Sequence, residues 1–245
     1  MTLSLARRAA AEFTGTGLLV TAVVGSGIAA SRLSPHDIGL QLLENAIATA
    51  LALGALILMF APVSGAHFNP VVTLADWWLH RHDEHGPTAR ELPAYLIAQI
   101  VGAIAGAILA DVMFGVPAVA WSTKDRTSAR LWLAEIVATA GLVLLIFALA
   151  RSARSALAPA AVGAYIGAAY WFTASTSFAN PAVTIGRAFT NTFAGIRPAS
   201  VPGFIAAQLL GTLLAVGAVA LWYPRRPLAA EPVTAAVPER IGAAR

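Results

Sequence analysis

The 245-residue sequence contains no cysteine, which excludes disulfide staples, thiol nucleophiles and soft thiolate metal sites. Charge is nearly as scarce, with 16 basic and 12 acidic side chains making up 11% of the chain against 58% hydrophobic residues. A composition that apolar does not suit an ordinary soluble domain, so lipid is the expected solvent for most of the surface. The formal net charge of +4 is scattered between and beyond apolar stretches and forms no dense basic patch, so no nucleic-acid partner is expected. No nucleophile–base pattern suggests an enzyme, and neither a cofactor nor a resident metal is implied.

What the chain does have is long apolar runs, near residues 10–30, 38–60, 92–114, 131–150, 158–172 and 201–222. Most approach the roughly 20 residues needed to cross a bilayer core. The fifth is short, but its thinly polar continuation through Ser175 allows a crossing. The first run directly follows Arg7 and Arg8, as the apolar part of a secretory leader also would. It lacks a small-x-small end before polar sequence and further spans follow, so it reads as a retained helix.

Two shorter apolar pieces, 69–79 and 180–193, fall between the second and third runs and between the fifth and sixth. Neither can span alone, so buried re-entrant or interfacial helices are expected. Each opens with an Asn-Pro pair, Asn69-Pro70 and Asn180-Pro181. Asn at the cap satisfies an orphan amide, and Pro at the first helical position gives up no needed donor.

The halves repeat. Ala11-Glu12 echoes Ala134-Glu135, Asn69-Pro70-Val71-Val72-Thr73 echoes Asn180-Pro181-Ala182-Val183-Thr184, and Gln99-Ile100-Val101-Gly102 echoes Gln208-Leu209-Leu210-Gly211, all in the same order. Three spans per repeat force the second copy to enter from the opposite side, giving an inverted pair. The expected fold is therefore an all-α membrane protein of six transmembrane helices and two re-entrant half-helices. Residues 1–223 form one channel domain, with repeats near 1–115 and 125–223, and 224–245 form a partly disordered cytoplasmic tail. With the N-terminus inside, the larger share of basic residues also falls inside, Arg7, Arg8, Arg81, Arg90, Arg151 and Arg154 among them.

In such an inverted pair the half-helices meet N-terminus to N-terminus at mid-membrane. Asn69 and Asn180 then point side-chain donors into a shared cavity, where the converging positive dipole ends oppose a cation. Glu12 and Glu135 lie inside apolar spans, where a carboxylate serves either as a proton relay or as an acceptor for the irregular backbone of the re-entrant loops; the second is favoured. Glu44 and Asp111, nearer span ends, are expected at the interface. His67 either lines the inner pore, where it could confer pH gating, or is a plain hydrogen-bonded loop histidine. His80, His82 and His85 resemble a metal-binding tract, but their charged neighbours suggest a wet connection instead. Trp77, Trp78, Trp121, Trp132, Trp222 and Tyr223 read as interfacial anchors.

The six spans, the inverted repeat, the stretch Ser64-Gly65-Ala66-His67-Phe68-Asn69-Pro70 and the second box Asn180-Pro181-Ala182-Val183 together resemble the aquaporin and glycerol-channel superfamily, over nearly the whole chain to about Tyr223. That resemblance implies passive, bidirectional passage of water or small uncharged solutes. It also implies membrane lipid as the surroundings, a homotetramer with one pore per subunit, and a bacterial inner-membrane location. Two departures stand out: Val71 replaces the alanine of the first box, and Val183 occupies the position where the family nearly always has a filter arginine. Carried over by spacing, the remaining filter positions are Thr49, Ala168 and Ser177, all small, so a wide outer opening is expected. Arg187, four residues past Val183, either restores a positive vestibule or partners loop or lipid groups. The run from Ser175 to Thr184 and Thr192-Phe193-Ala194-Gly195 resemble a bacterial subgroup associated with arsenic resistance. The expected solutes are glycerol and water, with arsenite or methylated arsenicals admitted. A water-selective channel is the nearest alternative, and the buried glutamates keep an ion-coupled transporter open as one of another class.

Overall fold

A computed structural model describes residues 3–81 and 86–223. His82, His85 and the expected tail at 224–245 lie outside the described residues. The helices are α1 Leu5–Leu33, α2 Ile38–Ser64, α3 Pro70–His80, α4 Leu92–Met113, α5 Ala129–Arg151, α6 Ala158–Phe172, α7 Pro181–Gly186 and α8 Val201–Trp222. Five segments are long and apolar enough to cross a membrane, namely α1, α2, α4, α5 and Pro198–Trp222. The remaining span, α6, has 15 residues and so a rise of only about 22 Å. It is lengthened at its start by the 3₁₀ turn Ser155–Leu157.

Sequence explains where these helices begin and end. The Asp37 carboxylate accepts the Leu40 amide at 2.8 Å and starts α2; Gly65, at φ 90°, ends it in the left-handed region that a side chain would disfavour. α3 and α7 begin on the two Asn-Pro corners. The expectation that the second half-helix would continue to residue 193 is corrected: α7 passes into a 3₁₀ turn, Arg187–Phe189, and stops. The chain beyond is claimed by the α4–α5 connection. Ala120 N–H donates to Phe189 O, Ser122 N–H to Ala188 O and Arg197 N–H to Lys124 O, at 2.8 to 3.1 Å. Asp111 is corrected too, since it is buried at the end of α4, where it accepts the Thr190 hydroxyl at 2.8 Å. Glu44 is half-buried and accepts the Ser34 hydroxyl.

Packing follows the repeat. α1 lies on α4 as α5 lies on α8, and α2 meets α6 where the two halves join. Backbones touch at these crossings because the residues there are small. A methyl group on Gly102 or Gly106 would run into the carbonyls of Phe13 or Gly17, and one on Gly211 would sit 2.5 Å from Ile136 O. In lipid, which offers no hydrophobic drive between helices, such close approach supplies the association energy. The Thr21 hydroxyl, which already donates to its own helix, also reaches Gly106 O at 3.0 Å. Outward-facing positions are apolar, including Leu51, Ile97 and Leu213; Trp78, Trp132 and Trp222 are exposed near helix ends and Trp121 in the α4–α5 connection.

Replacing Gly106 by Val should lower thermal stability in detergent by about 1–3 kcal/mol or more, the usual range for overpacking. Gly217→Val, on the same helical scaffold but with nothing within 4 Å of the added carbon, should leave it nearly unchanged. Melting curves followed by size-exclusion chromatography compare the two.

Candidate functional site: a cavity around two asparagines

The N-terminal ends of α3 and α7 meet inside the bundle. Asn69 and Asn180 hold extended backbones, with φ −154° and −161°, and each folds its side-chain carbonyl over the first turn of its own helix. Asn69 Oδ1 accepts Val71 N–H at 3.1 Å; Asn180 Oδ1 accepts Ala182 and Val183 N–H at 2.9 and 3.2 Å. Pro70 and Pro181 fill the next positions, where a missing N–H leaves nothing unsatisfied. The amide nitrogens cross between the halves: Asn69 Nδ2 donates to Ala179 O and Asn180 Nδ2 to Phe68 O, both at 2.8 Å. Sequence reasoning treated both side-chain NH₂ groups as free for a solute. One N–H of each is instead spent on the opposite loop, leaving one per asparagine.

The loops before the asparagines are strained in the same way. Ala66 and Phe68 have φ of 51° and 49°, and Ser177 and Ala179 both have 47°. Left-handed backbone at non-glycine residues persists where the surroundings over-determine it. The two buried glutamates provide that constraint. Glu12 accepts His67 N–H at 3.0 Å and Phe68 N–H at 2.7 Å, together with the Ser64 hydroxyl and Gln99 Nε2. Glu135 accepts Phe178 and Ala179 N–H at 2.9 and 2.8 Å and Gln208 Nε2 at 2.7 Å. Gln99 and Gln208 donate onward to Thr73 and Thr184, whose hydroxyls cap the Asn69 and Asn180 carbonyls. Amides drawn toward the carboxylates leave the Phe68 and Ala179 carbonyls free to meet the asparagines. Both carboxylates are fully buried and occupied by donors, as the loop-anchoring expectation required.

One cavity of about 550 Å³ passes this junction. Its wall runs from His80, Ala150 and Ser155, on the face that carries the N-terminus, past both asparagines to Tyr170, Val183 and Arg187. Of the positions expected from sequence, Thr49, His67, Asn69, Ser177, Asn180, Val183 and Arg187 line it. Ala168 does not; it is exposed on the outside of α6. The α6 wall consists instead of Val162, Ile166 and Tyr170, and the Tyr170 hydroxyl lies 3.2 Å from Thr49 Oγ1. Two residues of helix are about 200° of rotation, which carries a side chain to the opposite face. Counting back from the asparagine does not hold helical register here, because residues 173–179 between α6 and Asn180 are not helical. The four-residue period ending at Tyr170 was the signal that could have found it.

Ionisable groups sit at the two ends of the cavity. His67 Nδ1 is 3.1 Å from the Thr73 hydroxyl, and its Nε2 is 3.5 Å from Asp76, which also holds His80 Nδ1 at 2.8 Å. At the other end the buried Arg187 donates through Nε to Ala194 O, and its guanidinium carbon lies 3.5 Å from the Phe178 ring centroid. Arg126, missed as a site residue, is also buried. It donates to Gly195 O and Ser175 O at 3.1 Å and lies 4.8 Å from the same ring centroid. Lys124 lies against the Phe193 ring, and burial of its ammonium, with Arg126 and Arg187 nearby, pushes its pKa down to about 8. Among the described residues no cluster of three or more His, Asp or Glu side chains is arranged to hold a metal.

Comparison with known proteins agrees with this geometry. The family model described as major intrinsic protein matches residues 1–179. The chain is 52% identical over 225 residues to aquaglyceroporin AqpS of Rhizobium meliloti, covering 91% of this chain and 94% of that protein. It is 31% identical over 282 residues to the glycerol uptake facilitator protein of Pseudomonas aeruginosa, with 98% and 97% covered. Its fold matches the X-ray structure of the aquaglyceroporin from Plasmodium falciparum with a TM-score of 0.66 at 20% identity, over 88% of this chain and 96% of that one. Six spans, two half-helices joined at their asparagines, a cavity along that joint and these likenesses lead to one conclusion: the chain belongs to the major intrinsic protein family of multi-pass membrane channels.

Proposed function

We propose that this protein is a passive channel for small uncharged, hydroxyl-bearing solutes, glycerol and water first, with neutral arsenite and methylated arsenicals also admitted. The observation that carries this reading is the cavity wall at the level of the asparagines. Donors from Asn69 and Asn180 stand there among apolar side chains, while Glu12 and Glu135 are withdrawn from the wall and consumed by the loops. A neutral polyol can exchange water hydrogen bonds for those donors; a bare ion finds no compensating charge. That withdrawal takes both glutamates out of reach of a permeant ion, so neither is placed to couple ion and solute movement.

The filter is read as Thr49, Tyr170, Ser177 and Val183, with His67 at the inner end of the pathway and Pro70 and Pro181 as supports for its centre. The protein is placed in a bacterial plasma membrane with its N-terminus cytoplasmic, as a homotetramer with a pore in each subunit. The names of the Rhizobium meliloti and Pseudomonas aeruginosa relatives support a glycerol-passing channel.

Stopped-flow light scattering on proteoliposomes tests the substrate class. Glycerol and arsenite should enter faster than into protein-free vesicles and stop at equal concentration on both sides. Influx no faster than the control, or uptake against a gradient, would refute it. Val183→Arg should narrow the opening and lower glycerol flux by roughly tenfold, the factor that corresponds to about 1.4 kcal/mol of added barrier. Water flux should fall much less, and an unchanged glycerol-to-water ratio at matched protein density would remove Val183 from the filter. Tyr170→Phe should alter that same ratio through loss of the hydroxyl beside Thr49, whereas Ala168→Val should not.

A further inference from the structure

The inverted repeat places matched residues at the two mouths of the cavity. Counting from each asparagine, the residue two before is His67 or Phe178, the residue three after is Val72 or Val183, and the residue seven after is Asp76 or Arg187. All six line the cavity. In both halves the residue at plus seven touches the one at minus two: Asp76 lies 3.5 Å from His67 Nε2, and the Arg187 guanidinium carbon lies 3.5 Å from the Phe178 centroid. A charged side chain at plus seven is thus directed into the pathway by the geometry of the half-helix.

We infer that Arg187 is the residue that excludes cations from this pore, set one helical turn outward from the valine that controls size. This rests on the channel function proposed above. Several features equip Arg187 for the role. Among the described residues its guanidinium meets a protein acceptor only through Nε, at Ala194 O, so its terminal nitrogens are left for the cavity. Neither Arg187 nor Arg126 lies within ion-pair distance of a carboxylate among those residues. Two guanidinium charges face the single buried Glu135 carboxylate, so the mouth keeps a net positive charge. Phe178 holds the guanidinium in place, its own position fixed by the bond from its N–H to Glu135 and by the Phe204 ring at 5.1 Å. A planar cation stacked on an aromatic face with one nitrogen anchored cannot swing away as a lysine would. A fixed guanidinium at a pore mouth raises the barrier to protons and other cations and leaves neutral solutes untouched. In this chain, charge and size are therefore selected at separate levels, which lets the opening be wide without becoming an ion leak.

The test uses proteoliposomes carrying the full chain and measures three fluxes: glycerol, the glycerol-to-erythritol ratio, and methylammonium together with proton leak under a potassium–valinomycin potential. Arg187→Met should raise the cation fluxes by about tenfold or more relative to glycerol and leave the glycerol-to-erythritol ratio within about twofold. Arg187→Lys should restore most of the exclusion. Arg187→Gln, which keeps an amide donor for Ala194, is measured beside Arg187→Met, and either variant that still carries glycerol decides the matter. Unchanged cation fluxes, a shifted size ratio, or loss of glycerol passage in both neutral variants would overturn the inference. Wild-type protein that fails to carry glycerol would instead refute the channel reading beneath it.

Discussion

The structure depends on solving one problem: irregular backbone at the middle of a bilayer. Two loops end there, and no bulk water is available to satisfy their amides and carbonyls. The solution has two parts that work only together. Glu12 and Glu135 draw the loop N–H groups to one side, and the carbonyls thereby released to the other side accept the asparagine of the opposite half. Each half thus completes the hydrogen bonding of its counterpart, so neither half-helix can be placed without the other. A buried carboxylate is costly to desolvate, and three or four donors on each one are what make it tolerable. The left-handed residues at 66, 68, 177 and 179 record how tightly the loops are drawn.

This constraint explains which parts of the sequence could be read. Glu12, Gln99, Thr73 and Asn69 form one chain of hydrogen bonds, and Glu135, Gln208, Thr184 and Asn180 form its copy. Polar residues in apolar surroundings are conspicuous, and their repetition in order made the inverted pair legible before any coordinates. The Asn-Pro corners were legible for a local reason, because cap and first-turn chemistry belongs to adjacent residues.

The misses have a common cause. Each concerned a position whose environment is set by chain far away in sequence. Ala168 was located by counting back from Asn180, but the irregular link after α6 breaks the helical register that counting assumes. The end of α7 was drawn too late because composition stays apolar to residue 193, whereas the helix stops where residues 120–124 capture the backbone that follows. Asp111 was assigned to the interface by its nearness to a span end, but the returning outer chain brings Thr190 over it. Arg126 gave no signal because nothing in its own neighbourhood announces Phe178. Both amide hydrogens of Asn69 and of Asn180 were counted as free, since their cross-bonds exist only once both loops are in place.

That last correction bears on what the pathway can recognise. With one N–H per asparagine committed to the opposite loop, the centre offers a solute two fixed donors rather than four, and the glutamate oxygens are unavailable as acceptors. Thr49 and Tyr170 add hydroxyls to the cavity wall, each able to donate or accept. On the proposed function, a permeant is served best if it carries several oxygens of its own and no net charge, since its acceptors find donors and its hydroxyl protons find the threonine and tyrosine oxygens. Carbon atoms between those oxygens meet Leu19, Val23, Leu142, Ile146 and Val183 along the same wall. On that reading, alternation of donors with apolar side chains matches the alternation of hydroxyl and carbon in a small polyol, and it arises because the fold spends the Glu12 and Glu135 carboxylates on its own loops.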